Sequence, residues 1–194
     1  MAQPRVTVRS GHGVGKSAVC GWATLWWLTT RPLSRVVVVA PEFSRQVRSV
    51  LCGEIRKWWR RSKVELPVKV LANRVLVEGF GEEWSAIGLP ATEPHRIEGF
   101  HSEAGVLLIL DETKGIGQDV SDALQGALTG LEENRLLVSS TPGGTLGPFY
   151  RIWARDADAW ACHHIPATDS SLVSPRWIQD RRREWGSPAP AAAA

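Results

Sequence analysis

Eight consecutive residues, Ser10-Gly11-His12-Gly13-Val14-Gly15-Lys16-Ser17, are of the types that hold a phosphate chain. Alternating glycines let backbone N–H groups turn inward on a polyanion, and a helix starting directly afterwards adds the positive end of its dipole. Lys16 would then reach the β- and γ-phosphates and the Ser17 hydroxyl would ligate Mg²⁺, the arrangement of a P-loop, or Walker A motif. The leading glycine of the pattern GxxxxGK(S/T) is Ser10 here. A second group, Asp111-Glu112, ends the apolar run Val106-Leu107-Leu108-Ile109-Leu110, as in a Walker B motif. In that setting Asp111 holds the magnesium shell and Glu112 polarises the attacking water. Glycine-rich turns and acidic pairs also occur singly in ordinary loops. Both together, in this order, point to an ATPase that uses ATP and Mg²⁺.

The surrounding pattern supplies the elements that must position these groups. Val6-Thr7-Val8 alternates as a short strand and runs into the glycine-rich turn. Apolar residues at 19, 22, 23, 26 and 27 then predict a helix over 17–30, which Pro32 stops. Val36 to Val39 is a β-branched run typical of a strand buried on both faces. A basic amphipathic helix is expected over about 44–61, with Val47, Val50, Leu51, Ile55, Trp58 and Trp59 on its apolar face. Residues 67–88 change to short alternating pieces, Val68 to Leu71 and Val75 to Val77, with Asn73-Arg74 as a hairpin turn. A loop is expected over 89–105, strands over 106–110, 135–139 and 160–165, and helices over 120–128, 149–153 and 174–185. Strands alternating with helices predict an α/β fold with a mainly parallel sheet and a small antiparallel addition. Ligands in such sheets bind beyond the carboxyl ends of the strands. The polar turns at 10–17, 111–112 and 139–142 all fall there and should converge.

Composition sets the bounds. A chain of 194 residues with 43% hydrophobic and 22% charged residues fits one ordinary globular domain. No apolar run reaches the roughly 20 residues of a membrane helix, and the start MAQPRVTVRS lacks a secretory pattern, so a soluble cytoplasmic protein without a membrane partner is expected. A net charge of +3 permits a polyanionic partner without requiring one. Cys20, Cys52 and Cys162 are too scattered for a zinc site or a disulfide framework and read as reduced core thiols. The ten tryptophans, Trp22 and Trp26 among them, read as core packing. His163-His164, the run Arg181-Arg182-Arg183, and Asp119, Asp122, Glu132 and Glu133 carry no ligand or nuclease pattern and read as structural or solvated.

Four segments together make a more specific pattern. VRSGHGVGKS, Ala40-Pro41 followed by SRQV, WSAIGLPATEPHRIEGFHSEAGVLLILDE and ALTGLEENRLLVSSTPGGTLGPFYRIW resemble the ATPase part of bacteriophage terminase large subunits, over about residues 5–185. Gly99-Phe100-His101 before the Walker B strand and Ser140-Thr141-Pro142 after the next one are the telling features. The resemblance implies a three-layer P-loop NTPase fold of the RecA/ASCE type, and a motor that packages double-stranded DNA into a capsid at the expense of ATP. It implies Ser140, Thr141 and Pro142 as the motif coupling γ-phosphate state to DNA movement. It also implies a portal protein and a terminase small subunit as partners, a homo-oligomeric ring, and work in the bacterial host cytoplasm at the portal vertex.

Departures from the pattern set further expectations. His12 stands where many terminases carry an arginine that stabilises transition-state charge, so an arginine from elsewhere is expected, from a neighbouring subunit or from Arg9, Arg96 or Arg151. Only nine residues precede the loop, short of the adenine-contacting segment that the resemblance implies. The sequence therefore divides into a terminase-type ATPase domain, 1–186, and a disordered Pro/Ala-rich tail, 187–194. The nuclease domain of the family is missing, which suggests a truncated or prophage-derived chain without cleavage activity. A helicase-like P-loop ATPase and an inactive structural remnant are the alternative readings.

Overall fold

A computed structural model describes residues 4–42, 47–48, 52–65, 67–97, 99–128 and 133–185. Among the described residues six strands run parallel: β1 (Arg5–Ser10), β2 (Arg35–Ala40), β5 (Gly81–Pro90), β6 (Val106–Leu110), β7 (Arg135–Ser140) and β8 (Ala161–Ile165). The hairpin β3 (Val68–Val70) and β4 (Arg74–Val77) adds antiparallel to β5, giving the order β3-β4-β5-β2-β6-β7-β1-β8. Helix α1 (Lys16–Thr30) and the short α2 (Arg56–Trp59) accompany the sheet on one face. Helices α3 (Gln118–Leu128) and α4 (Pro148–Ala154) cover the other, and α5 (Pro175–Trp185) follows β8. This is the expected mostly parallel α/β sandwich.

Strand β2 explains why the core needs two layers. Val36 and Val38 face the cluster containing Trp27, Leu28 and Ile109, while Val37 and Val39 face the one containing Leu108, Phe149 and Ile152. All four valines are fully buried, and each contributes about 1.5–3 kcal/mol relative to exposure, so the β-branched run can be satisfied only under helices on both sides.

Several elements depart from the sequence expectations. Helix α1 buries Cys20, Gly21, Thr24, Trp27 and Leu28, whereas Val19, Trp22 and Trp26 of the expected apolar face are 41%, 47% and 53% exposed. Both stripes satisfy a 3.6-residue period, and close packing chose between them. A Cβ on Gly21 would lie 3.1 Å from Glu54 Cβ, so the small residues face inward. Trp22 instead packs edge-on against Trp58, with ring centroids 4.9 Å apart, outside the core. Residues 52–55 are wound as π-helix, so the basic helix at 44–61 is not one regular α-helix; Val50 and Leu51 lie outside the described residues. The hairpin turns at Ala72-Asn73, with Leu71 N–H donating to Arg74 O at 2.8 Å, and Arg74 already belongs to β4. Strand β5 was not legible as one ten-residue parallel strand, because Gly, Ser and Pro interrupt its apolar pattern; its pairing with β2 overrides their low propensity. Glu132 and the 187–194 tail lie outside the described residues.

Candidate functional site

The sheet order sets β6, β7 and β1 side by side, so their carboxyl ends bring together Asp111-Glu112, Ser139–Thr141 and the loop 10–17. Within the loop, Gly13 (φ +75°) and Gly15 (φ +97°) occupy the left-handed region that glycine adopts without strain. Gly15 is the cap residue that opens α1. At Gly11 the constraint is space: its N–H donates to Ile165 O at 3.2 Å, and a Cβ there would lie 2.8 Å from that of Ala167. The end of β8 thus pins the loop's entry. Lys16 folds back over the loop, its Nζ donating to Gly11 O at 2.9 Å. Burial pushes the Lys16 ammonium below its usual range, and the charges of Glu112 and Asp111 pull it back up. Lys114 acts on it too, its charge adding to the lowering.

Asp111 is 3% exposed. Its Oδ1 accepts from Ser139 Oγ at 2.8 Å and from the Glu112 N–H at 3.1 Å, and Ser139 Oγ lies 3.9 Å from Cys20 Sγ on α1. Burial raises the Asp111 carboxyl above the ordinary range, the Ser139 bond opposes that, and the Glu112 charge adds to it. Burial also pushes the Cys20 thiol well up, with the Asp111 charge adding to the effect, so the thiol stays protonated as a core residue. Glu112 has φ +53°, uncommon for a residue with a side chain, and the following turn Thr113–Gly115 is bolted to β7. Thr113 Oγ1 donates to Ser139 O at 3.2 Å, and the Lys114 N–H donates to Ser140 Oγ at 3.1 Å. Thr141 Oγ1 is 3.5 Å from Glu112 Oε2 and accepts from Lys114 Nζ at 2.6 Å. Ser140 and Thr141 are buried, and Pro142 lines a cavity of 200 Å³ with Arg9, Lys114, Phe149 and Trp153.

Because its folded-state value is raised, Asp111 contributes stability in its protonated form: this is present below the ordinary carboxylate range and lost as pH rises through the raised value. Asp111→Asn is therefore expected to raise the melting temperature of the nucleotide-free chain at neutral pH, by about 2–4 °C for each kcal/mol relieved. The gain should shrink as pH falls through the carboxylate range. Melting curves across pH check this; a gain that is constant with pH would remove burial of the charge as its cause.

The other residues singled out by sequence scatter. His12 is exposed on the loop, and Val14 lines a small cleft with Ser10, Lys16 and Cys20. Of the candidate arginines, Arg9 stacks over Trp153 at 4.3 Å, Arg96 pairs with Glu93 at 2.5 Å, and Arg151 donates to Gln118 Oε1. Phe100 neighbours Arg35 at the amino end of the sheet, so Gly99-Phe100-His101 lies at the opposite end of the strands from the loop. His163 and His164 are exposed on the edge strand β8, and Asp119, Asp122 and Glu133 are exposed. A cavity of 630 Å³ under α3 and α4, lined by Gln118, Asp122, Arg151, Arg155 and Trp160, contains none of the loop residues 10–17. Sequence reasoning missed Lys114 altogether. Its only signal is a cation two positions past Glu112, in a stretch without periodicity.

Comparison with known proteins agrees with this architecture. No family model matches the chain. A probable terminase large subunit of Enterobacteria phage P7 is 26% identical over 193 residues, covering 93% of this chain; the chain spans 39% of that relative's length. The large terminase ATPase domain of Thermus phage P74-26 superposes with a TM-score of 0.74 at 21% identity, covering 96% of this chain and 85% of that one. A large terminase of a thermophilic bacteriophage in complex with ATP-γ-S superposes with a TM-score of 0.71 at 10% identity, covering 96% and 45%. Among the described residues no helix is long and apolar enough to cross a membrane.

Proposed function

We infer that this chain, which resembles phage terminase large subunits along its length and has the fold of their ATPase domains, hydrolyses Mg-ATP to drive double-stranded DNA into a capsid. The observation that carries this reading is the convergence of Lys16, Asp111, Glu112 and Thr141 at the carboxyl ends of three adjacent parallel strands. Backbone N–H groups of the loop and Lys16 bind the phosphates, and the αL glycines keep the loop open toward them. Glu112, held by its turn, takes the proton of the attacking water. Thr141, in contact with both Glu112 and Lys114, is placed to sense the γ-phosphate and pass its presence to β7.

The donor set fits magnesium. Asp111 has both of its hydrogen bonds on Oδ1, which leaves Oδ2 for a cation, and Ser17 is the hydroxyl that follows Lys16 in the loop motif. Among the described residues no cluster of three or more His, Cys, Asp or Glu side chains is placed to hold a metal, and Mg²⁺ does not need one because it keeps water and phosphate oxygens in its shell. When bound, that ion would neutralise charge developing on the phosphates.

Double-stranded DNA, a portal protein, a terminase small subunit and neighbouring copies in a ring are the partners this reading requires. Arg96 and Arg151 are bonded to Glu93 and Gln118, and Arg9, although it borders the cavity beside Pro142 and Lys114, stacks over Trp153, so a transition-state arginine would come from a neighbour, and turnover per chain should rise with chain concentration. Losing such an arginine costs about 10³–10⁵ in rate in related phosphoryl-transfer enzymes. Steady-state hydrolysis measured over a range of chain concentrations, with and without duplex DNA, tests this. Fast turnover independent of concentration would end the trans-arginine idea, and absence of ATP binding would end the ATPase reading in favour of a structural remnant.

A further inference from the structure

The geometry points to Lys114 as a second γ-phosphate ligand of the nucleotide site, one that binds Thr141 when the γ-phosphate is absent and exchanges it for a γ-phosphate oxygen when ATP is present. This rests on the ATPase reading above. Three observations carry it. First, Lys114 is held at its base: its N–H donates to Ser140 Oγ at 3.1 Å, and Gly143 leaves room for its stem, since a Cβ there would lie 3.2 Å from Lys114 Cβ. The same turn is wedged at its other end, where a Cβ on Gly115 would meet Pro41 Cγ at 3.0 Å. Second, although Lys114 is an exposed residue, its ammonium turns toward the site. Lys114 Nζ donates to Thr141 Oγ1 at 2.6 Å, and that hydroxyl reaches Glu112 Oε2 at 3.5 Å, so cation, hydroxyl and carboxylate form one chain. Third, among the described residues Lys114 is the cation hydrogen-bonded to Thr141, whereas Arg9, which borders the same cavity, stacks over Trp153, and Arg96 and Arg151 bond to Glu93 and Gln118.

In the nucleotide-free site Lys114 is bonded to a neutral hydroxyl, Thr141 Oγ1. The arrival of a γ-phosphate changes that pairing, because a phosphate oxygen outcompetes a neutral hydroxyl for an ammonium. Thr141 then loses its donor and keeps only Glu112, and since Ser140 and Thr141 continue β7, the exchange reports the γ-phosphate to the strand. In hydrolysis the water oxygen bonds to the γ-phosphorus while the β–γ bridging oxygen leaves with its electron pair on ADP. The water proton goes to Glu112. Lys114 stays protonated throughout and transfers nothing.

The test is affinity for ATP-γ-S against ADP, each with Mg²⁺, measured by titration on the 194-residue chain and on Lys114→Met, Lys114→Arg and Thr141→Val. Lys114→Met keeps the aliphatic stem against Gly143, so the fold is preserved and only the charge goes. The expected result is that Lys114→Met weakens ATP-γ-S binding by about tenfold or more, the worth of one charge-assisted hydrogen bond, with ADP affinity unchanged. Lys114→Arg should restore most of the discrimination, and Thr141→Val should leave ATP-γ-S at least as tightly bound, because the lysine has lost its competing acceptor. Equal weakening of both nucleotides by Lys114→Met, or no weakening of either, overturns the proposal while wild-type binding leaves the ATPase reading standing. A wild-type chain that binds neither nucleotide overturns both.

Discussion

Replacing Glu112 with glutamine is expected to leave Mg-ATP bound and to slow its hydrolysis by about 10²–10⁴-fold, the usual worth of a general base. The side chain sits on a backbone with φ +53°, in a turn tied to β7 by Thr113 and Lys114, so its position does not depend on its charge. Glutamine conserves the shape, and its amide oxygen can still meet Thr141 Oγ1, but it cannot take a proton from water. The buried neighbour Asp111 is a poor substitute, because Oδ1 is already occupied by Ser139 and the Glu112 N–H and the rest of its carboxylate is assigned to the cation. Pre-steady-state measurement separates the two steps: nucleotide should bind within a few-fold of wild type while the single-turnover rate collapses. Turnover near wild type would assign the base to another residue.

Lys16→Ala is expected to weaken both nucleotides, ADP by about 10-fold or more through the lost β-phosphate bond and ATP by about 10²-fold or more through both bonds, since each charge-assisted bond is worth about 1.5–3 kcal/mol. This outcome is distinguishable from unfolding. In the nucleotide-free chain Lys16 is partly buried and pays for that burial with a lowered ammonium pKa, and its hydrogen bond is to Gly11 O within its own loop. Alanine removes the desolvation cost together with that single bond, so the melting temperature should hold or rise while binding is lost. The contrast with Lys114→Met is the useful one: loss at Lys16 extends to ADP, loss at Lys114 spares it. Unchanged nucleotide affinity in Lys16→Ala would remove the P-loop assignment.

What the sequence determined by itself is local. The glycines at 11, 13 and 15, the lysine and serine after them, and the apolar run ending in Asp111-Glu112 are legible because a strand that turns sharply into a phosphate loop needs those residue types wherever the chain goes next. The buried strands β2, β6 and β7 were equally legible, since a continuous β-branched or aliphatic run has few other uses. Tertiary structure decided everything that required a choice between locally equivalent options. Helix α1 is apolar on nearly all sides, and only the approach of Glu54 to Gly21 made Trp27 and Leu28 the inner face and left Trp22 and Trp26 outside. Strand β5 formed against its own glycines and proline because β2 and β4 supplied partners on both edges. The arginines were assigned by what they met: Trp153 and Gln118 lie far along the chain from Arg9 and Arg151, and only Glu93, three residues before Arg96, is a local partner. Lys114 became a site residue for the same reason: its partner Thr141 lies 27 positions away along the chain, and only the pairing of β6 with β7 sets the two turns side by side.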